Sequence, residues 1–307
     1  MTSLASGLSV ALAAGGEPAE LAAHGLGIEH VNELMVRLAM ALLRDGHRLA
    51  FGGTLGDSKQ QLTKYLIDVA TNWVGEKTAK QCDVTLPETW PLVNYSAWPF
   101  YSSISEEEMA KQVGICRFVT VDPPDNPGHD LIKLAENWRQ NPLARLLMAN
   151  SLTAMRELCT VETDLRVVWG GQIARAAGWM AGILEEIGFS LKHGKPLLVL
   201  GGFGGCARLV ADFLAAPKAP WPHQLSLEAS ANAERDALLS EAGHNALKRR
   251  FNFIQKALAK YRDKIHSQTR VNQISTKHIR AALTTDTPRE AIKLATAAAS
   301  KCRRKSR

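Results

Sequence analysis

Cysteine is scarce in this chain, and its five copies stand far apart: Cys82, Cys116, Cys159, Cys206 and Cys302 form no CxxC pair and no dense framework. That argues against a disulfide scaffold and a structural zinc, and the thiols are expected to be reduced, as in a cytoplasmic protein. No run approaches the roughly 18 consecutive apolar residues that a membrane-spanning helix needs, so no membrane association is expected. The N-terminal MTSLASGLSVALAAGG has an Ala-rich end, but no basic stretch precedes it and Ser9 breaks its apolar run. Leu8 to Ala13 therefore reads as a first core strand and not as a secretion signal. None of the nine histidines falls in an HExxH or HxxxH pair, which leaves a metal site without support. There is no GxxxxGK[ST] phosphate loop and no GxSxG elbow, and the first turn, AAGGEP, lacks the spacing of a dinucleotide-oxidoreductase fingerprint. Nucleotide triphosphatase, serine hydrolase and hydride-transfer chemistry are all poor fits, and no cofactor is expected.

The chain of 307 residues is long enough for a sizeable core, and its composition is that of an ordinary globular protein. The formal charge of +7 is unevenly spread. From Asn245 to Arg307 there are 17 Lys and Arg against three acids, a net of +14, which leaves −7 for everything before it. The basic character belongs to the C-terminal segment.

Four segments share one pattern: a short apolar run, a Gly-Gly pair, then residues able to start a helix. They are Leu8 to Ala22 with Gly15 and Gly16, Arg48 to Val74 with Gly52 and Gly53, Arg166 to Gly194 with Gly170 and Gly171, and Pro196 to Leu214 with Gly201, Gly202 and Gly204. Apolar runs of four to eight residues ending in glycine mark buried parallel strands, and the helices between them supply the crossovers. Further strands are expected at Ile115 to Val121, after a helix that Ser105 caps with Glu108, and at Leu92 to Trp98. The fold expected is α/β, a Rossmann-like, doubly wound and mostly parallel sheet over residues 1–222, followed by a basic helical extension over 223–307.

In such a sheet each glycine pair falls at the carboxyl end of its strand, on the edge where ligands of open α/β sheets bind. Bare backbone lets a ligand approach closely, and the helix N-terminus behind it offers free N–H groups to phosphate. The same glycines also suit tight strand-to-helix turns with no ligand at all. Asp122 and Asp125, in DPPDNPGHD, sit on the same edge, where they either accept ribose hydroxyls or simply stabilise a Pro-rich turn.

Beyond Pro222 the period changes. Leu247, Phe251, Ile254, Leu258, Tyr261 and Ile265 follow alternating steps of four and three, the stripe of an amphipathic helix with Lys and Arg between, and a second helix is expected after Pro288. The stripe serves either self-association or packing within the chain. Nucleic acid is a conceivable but disfavoured partner, because aromatics are not interleaved with the basic residues of the tail.

GG followed by GILEE, then SLKHGKPLLVLGGFGG, resembles the signature of the Lonely Guy phosphoribohydrolases, PGGxGTxxE followed by a helix, a lysine-proline turn and an apolar strand. More broadly it is similar to the SLOG superfamily, which joins those enzymes to DprA-type DNA-binding proteins and to nucleotide-sensing domains of bacterial conflict systems. The resemblance covers most of Leu8 to Leu214. It implies that Gly170, Gly171 and Gly182 match the signature glycines and Glu186 its glutamate, with Arg156 near the position of the catalytic arginine. It also implies assembly into homo-oligomers, and a setting in phage defence or nucleotide signalling.

The departures bear on function. Trp169 stands in place of the motif proline, Ile183 in place of the threonine, and ten residues, Gln172 to Ala181, stand where the signature has one. Arg175 and Trp179, in this longer loop, are candidates to pair with a phosphate and to stack on a base or nicotinamide, or else to be a solvated arginine and a core plug. Glu185 and Glu186 are candidate catalytic acids, although acids in the first turn of a helix are favoured by its dipole in any case. The expected function is binding, in the sense of sensing, of a nucleotide or NAD-derived ligand such as ADP-ribose at the glycine edge. The alternatives are an N-glycosidic hydrolase using Glu186 and Arg156, and a DprA-like nucleic-acid binder using the basic segment.

Overall fold

The computed structural model describes residues 7–16, 18–23, 25–53, 62–80, 90–124, 128, 130–173 and 177–303. In chain order the elements are β1 (Ser9–Gly15), α1 (Pro18–Ala22), α2 (Ile28–Arg44), β2 (Arg48–Gly52), α3 (Leu62–Lys80), β3 (Leu92–Ala97), α4 (Glu106–Lys111), β4 (Cys116–Val121), α5 (Leu131–Glu136), α6 (Pro142–Val161) and β5 (Leu165–Gly170). There follow α7 (Gly182–Lys192), β6 (Leu197–Leu200), α8 (Gly205–Ala215), α9 (Ala233–Asp236), α10 (Glu241–Ser267), a two-stranded ribbon of β7 (Arg270–Val271) and β8 (Ile274–Ser275), α11 (Thr276–Thr284) and α12 (Pro288–Arg303).

Six strands form one parallel sheet in the order β4-β3-β2-β1-β5-β6. The chain runs from β1 outward to β4, then returns through α6 to lay β5 on the other side of β1. The order therefore reverses between β1 and β5, and that switch point is where the carboxyl edge opens into a crevice. The register brings Gly15 opposite Gly170 and Gly52 opposite Tyr95, so the glycine ends of three strands stand in one row.

The expected Rossmann-like sheet is thus present, and its strands read from the sequence as they fold. Ser105 caps α4 with Glu108 in reciprocal hydrogen bonds of 3.1 and 2.9 Å. One expectation shifts. The turn after Gly16 is followed only by the five residues of α1, and the crossover helix is α2, which starts after Gly27 and buries Val31, Leu34, Met35, Leu38, Leu42 and Leu43.

Strand alternation assigns the two faces. Ala11, Ala50, Tyr95 and Ala97 meet α6, whereas Trp169 lies on the opposite face and donates its indole N–H to the Val31 carbonyl of α2 at 3.4 Å. The stripe on α10 is buried as written, Leu247 through Ile265, and it packs within the chain against α7 and α8. Gly188 of α7 admits it, since a Cβ there would stand 2.6 Å from Ile254 Cγ1. Each of these buried apolar side chains contributes about 1.5–3 kcal/mol. The stripe is thereby consumed inside the molecule and is not a surface for self-association. The C-terminal α12 packs on α2, so the basic extension covers both faces of the sheet. Among the described residues no helix is long and apolar enough to cross a membrane.

Candidate functional site

At the switch point a cleft of about 290 Å³ is lined by Gly15 and Gly16 at the end of β1, Phe51, Gly52 and Gly53 at the end of β2, Tyr95 and Ala97 from β3, Met155 and Arg156 from α6, Gly171 and Gln172 just after β5, and Gly182, Ile183 and Glu186 from α7. Gly170 and Gly171 make this geometry. Both have positive φ, +60° and +91°, and a Cβ would meet the Gly15 carbonyl oxygen at 2.1 Å in the first case and Ile183 Cδ1 at 2.5 Å in the second. The Gly171 N–H donates to the Gly15 carbonyl at 2.6 Å, which ties the end of β5 to the end of β1.

Helix α7 begins in the cleft wall. Its N-cap, Ala181, supplies no side-chain hydrogen bond, so the first-turn backbone N–H groups remain for solvent or a ligand, at the positive end of the helix dipole. Ile183, which replaces the signature threonine, lines the cleft and packs on Gly171.

The two glutamates next in line have different surroundings. Glu185 is buried and saturated: Oε1 accepts from Thr153 Oγ1 at 2.7 Å and from Arg250 Nη1 at 3.1 Å, and Oε2 accepts from Arg156 Nη1 at 2.6 Å. It ties α6, α7 and α10 together and is absent from the cleft lining. Glu186 lines the cleft, and its Oε1 would lie 3.9 Å from a Cβ built on Gly52. Its Oε2 turns inward to Arg166 Nη1 at 3.3 Å, close enough for an ion pair but not aligned as a hydrogen bond, so that oxygen is buried without a donor. Burial raises the Glu186 pKa above the ordinary carboxylate range, and the nearby Glu185 adds to the rise, against the pull of Arg166 and Arg156.

Arg166 was not among the expected site residues, although its signal is in the sequence: one arginine inside an otherwise apolar strand. It is almost fully buried on β5, where Nη2 donates to Thr160 Oγ1 at 2.8 Å and approaches Cys159 Sγ at 3.7 Å. Burial pushes the Cys159 thiol up to about 11, so Cys159 stays a neutral neighbour of Glu186.

Arg156 reaches the cleft over two glycines. A Cβ on Gly178 would stand 2.9 Å from Nη1 and one on Gly182 would stand 2.8 Å from Nη2. Gly182 therefore makes room for the arginine as well as opening the helix.

Other candidates lie elsewhere. Gly201 and Gly202 are outside the cleft lining; a Cβ on Gly201 would meet the Leu283 carbonyl oxygen at 2.2 Å, and one on Gly202 the Thr285 carbonyl oxygen at 2.2 Å. They admit the last turn of α11 and the residue after it, and Gly202 N–H donates to that Thr285 carbonyl at 3.1 Å. Gly204, with φ +73°, is the N-cap of α8. Trp179 is buried, donates its indole N–H to Asn150 Oδ1 at 3.0 Å and is not in the cleft lining, so it fills the core edge with Met180 and Ala181. Asp122, just after the edge strand β4, accepts a hydrogen bond from Tyr101 and is not in the cleft lining. Arg175 and Asp125 lie outside the described residues. Among the described residues no group of three or more His, Cys, Asp or Glu is placed to hold a metal ion.

Sheet, switch point and glycine-lined cleft together define a Rossmann-like α/β domain. Comparison with protein families then makes the assignment particular. The chain belongs to the SLOG cluster2 family, whose model matches residues 4–288, a span that includes α10 and α11 as well as the sheet. No curated protein matches the chain.

Proposed function

We propose that the cleft binds a nucleotide or an NAD-derived molecule such as ADP-ribose, with phosphate at the N-terminus of α7 beside Arg156 and a ribose hydroxyl donating to Glu186. The observation that carries this reading is the placement, in one cleft, of an uncapped helix start and the buried carboxyl of Glu186 with an oxygen turned toward Gly52. The first suits an anion; the second suits a hydroxyl donor. Sensing is preferred to catalysis because Arg156 is already bound to Glu185 and because Gln172 to Ala181 rebuild the signature loop.

N-glycosidic hydrolysis is the second reading, and the raised pKa of Glu186 favours it, since a carboxyl that keeps its proton higher than usual can assist a leaving base. One experiment separates the two: incubation with AMP, NAD and ADP-ribose, each sample divided between product chromatography and a thermal-shift titration. Sensing predicts a saturable shift without product, lost in Gly52→Ala. The added Cβ would enter the cleft wall 3.0 Å from Met155 Sδ, at a backbone that accepts alanine. Free base or nicotinamide whose release stops in Glu186→Gln would make the protein a hydrolase. No shift with any of the three ligands, or full binding by Gly52→Ala, would remove the cleft as their site.

A further inference from the structure

Arg250 belongs to α10, in the C-terminal extension, and it is not part of the cleft wall. Its Nη1 nevertheless donates to Glu185 Oε1 at 3.1 Å and to Thr153 Oγ1 at 3.2 Å. Thr153 also donates to the same Glu185 oxygen at 2.7 Å, and Arg156 Nη1 occupies the other at 2.6 Å. One carboxylate therefore faces two guanidinium groups. Of the two, only Arg156 lines the cleft, with Nη2 toward Gly182 at the start of α7.

We infer that Arg250 is a positioning residue for this cleft: by sharing Glu185 with Arg156, it keeps Arg156 from being neutralised by a private ion pair and so reserves positive charge for an anionic ligand. The inference rests on the nucleotide reading of the cleft and assigns a task to α10. A single carboxylate cannot cancel two cations, and Glu186, the other acid near Arg156, has its own ion pair with Arg166 at 3.3 Å. Arg250 is 35% exposed, so solvent screens its share and the surplus left on Arg156 is modest. Removing Arg250 lets Glu185 compensate Arg156 alone, which weakens attraction for phosphate while leaving the space for a neutral nucleoside unchanged. Helix α10 thus sets the charge selectivity of a pocket whose wall it does not form.

The test compares AMP with adenosine, by calorimetric titration, for the full chain and two variants. Arg250→Met keeps the aliphatic stem and removes the charge; it is expected to weaken AMP about threefold, within what a partly exposed ion pair can contribute, and to leave adenosine unchanged. Arg250→Lys restores a cation and is expected to recover most of the AMP affinity; if the methionine variant does not fold, the lysine variant still tests the effect, since a point charge in place of the planar fork predicts a partial loss for AMP alone. Equal losses for AMP and adenosine would make Arg250 a mere structural prop and overturn the inference, as would unchanged binding of both. A wild-type protein that binds AMP no better than adenosine would overturn it too, and one that binds neither would sink the cleft reading first, before any variant was made.

Discussion

Glu185 and Glu186 are neighbours in sequence and similar in burial, yet the structure requires opposite consequences from removing their charges. Breaking a buried ion pair costs about 3–5 kcal/mol, because the partner is left uncompensated. In Glu185→Gln the arm most affected is Arg156, whose side chain is 12% exposed, whereas Arg250 is 35% exposed, can turn to water, and adds under about 1 kcal/mol. Glutamine keeps one acceptor oxygen but turns an amide toward a guanidinium, so the expected loss is about 3 kcal/mol. Glu186→Gln is different. Its Oε2 accepts no hydrogen bond, and Arg166 retains Thr160 Oγ1 at 2.8 Å and Cys159 Sγ at 3.7 Å. Loss of the 3.3 Å ion pair is offset by relief of a buried charge, and the net change is expected to stay within about 1 kcal/mol. Urea unfolding at pH 7, with both variants and the wild type sharing one slope, reads the difference directly. Equal destabilisation by the two substitutions would refute the division of labour between them, as would a Glu185→Gln protein as stable as the wild type.

Glu186 also predicts a pH dependence. Its folded-state pKa is raised above the ordinary 4.5, so the native state holds that proton to higher pH than the unfolded chain does. The associated stability is full below 4.5 and is lost as pH rises through the raised value. The advantage of wild type over Glu186→Gln should therefore shrink as pH is increased above 4.5, measured by urea unfolding across a pH series, and a constant or growing advantage would contradict the burial of that charge. Ile254→Ala tests the docking of α10: a fully packed isoleucine over Gly188 should cost about 2–5 kcal/mol, and a loss well under that range would mean that the helix is not seated on α7.

The fold was largely legible because a parallel strand buried on both faces leaves a plain trace, a continuous apolar run ending in glycine. β1, β2, β5 and β6 all carry it. The α10 stripe was equally plain, since Leu247 to Ile265 keep a helical period through a polar, basic background. The first crossover helix was harder to place, because the glycine turn after β1 and the stripe that makes α2 are separated by α1 and the loop to Gly27. A turn signal says where regular structure can restart, not how far along the chain the decisive apolar face begins.

The site was legible only in part, for a related reason. A Gly-Gly pair reveals that something approaches the backbone but not what. Gly16, Gly52 and Gly171 line the cleft and are approached by side chains, Leu21, Met155 and Ile183, whereas Gly201 and Gly202 are met by the carbonyls of Leu283 and Thr285, from a segment some eighty residues away in sequence. The glutamates pose the same problem in sharper form. Consecutive helical residues point about 100° apart, so Glu185 and Glu186 must face different neighbours. On an amphipathic helix the apolar stripe would say which acid looks inward, but Ile183 to Ser190 are all buried and α7 offers no polar face to set the phase. A helix buried all round must compensate each of its charges with a partner from another element. The chain supplies Arg156 and Arg250 for one glutamate and Arg166 for the other, from three elements that no local pattern connects. Where the compensation is complete, at Glu185, the carboxylate is structural. Where it is incomplete, at Glu186, Oε2 lies buried beside Arg166 without a donor while the same carboxyl borders the glycine-lined cleft, and that incompleteness is what supports the proposal that Glu186 meets a ligand.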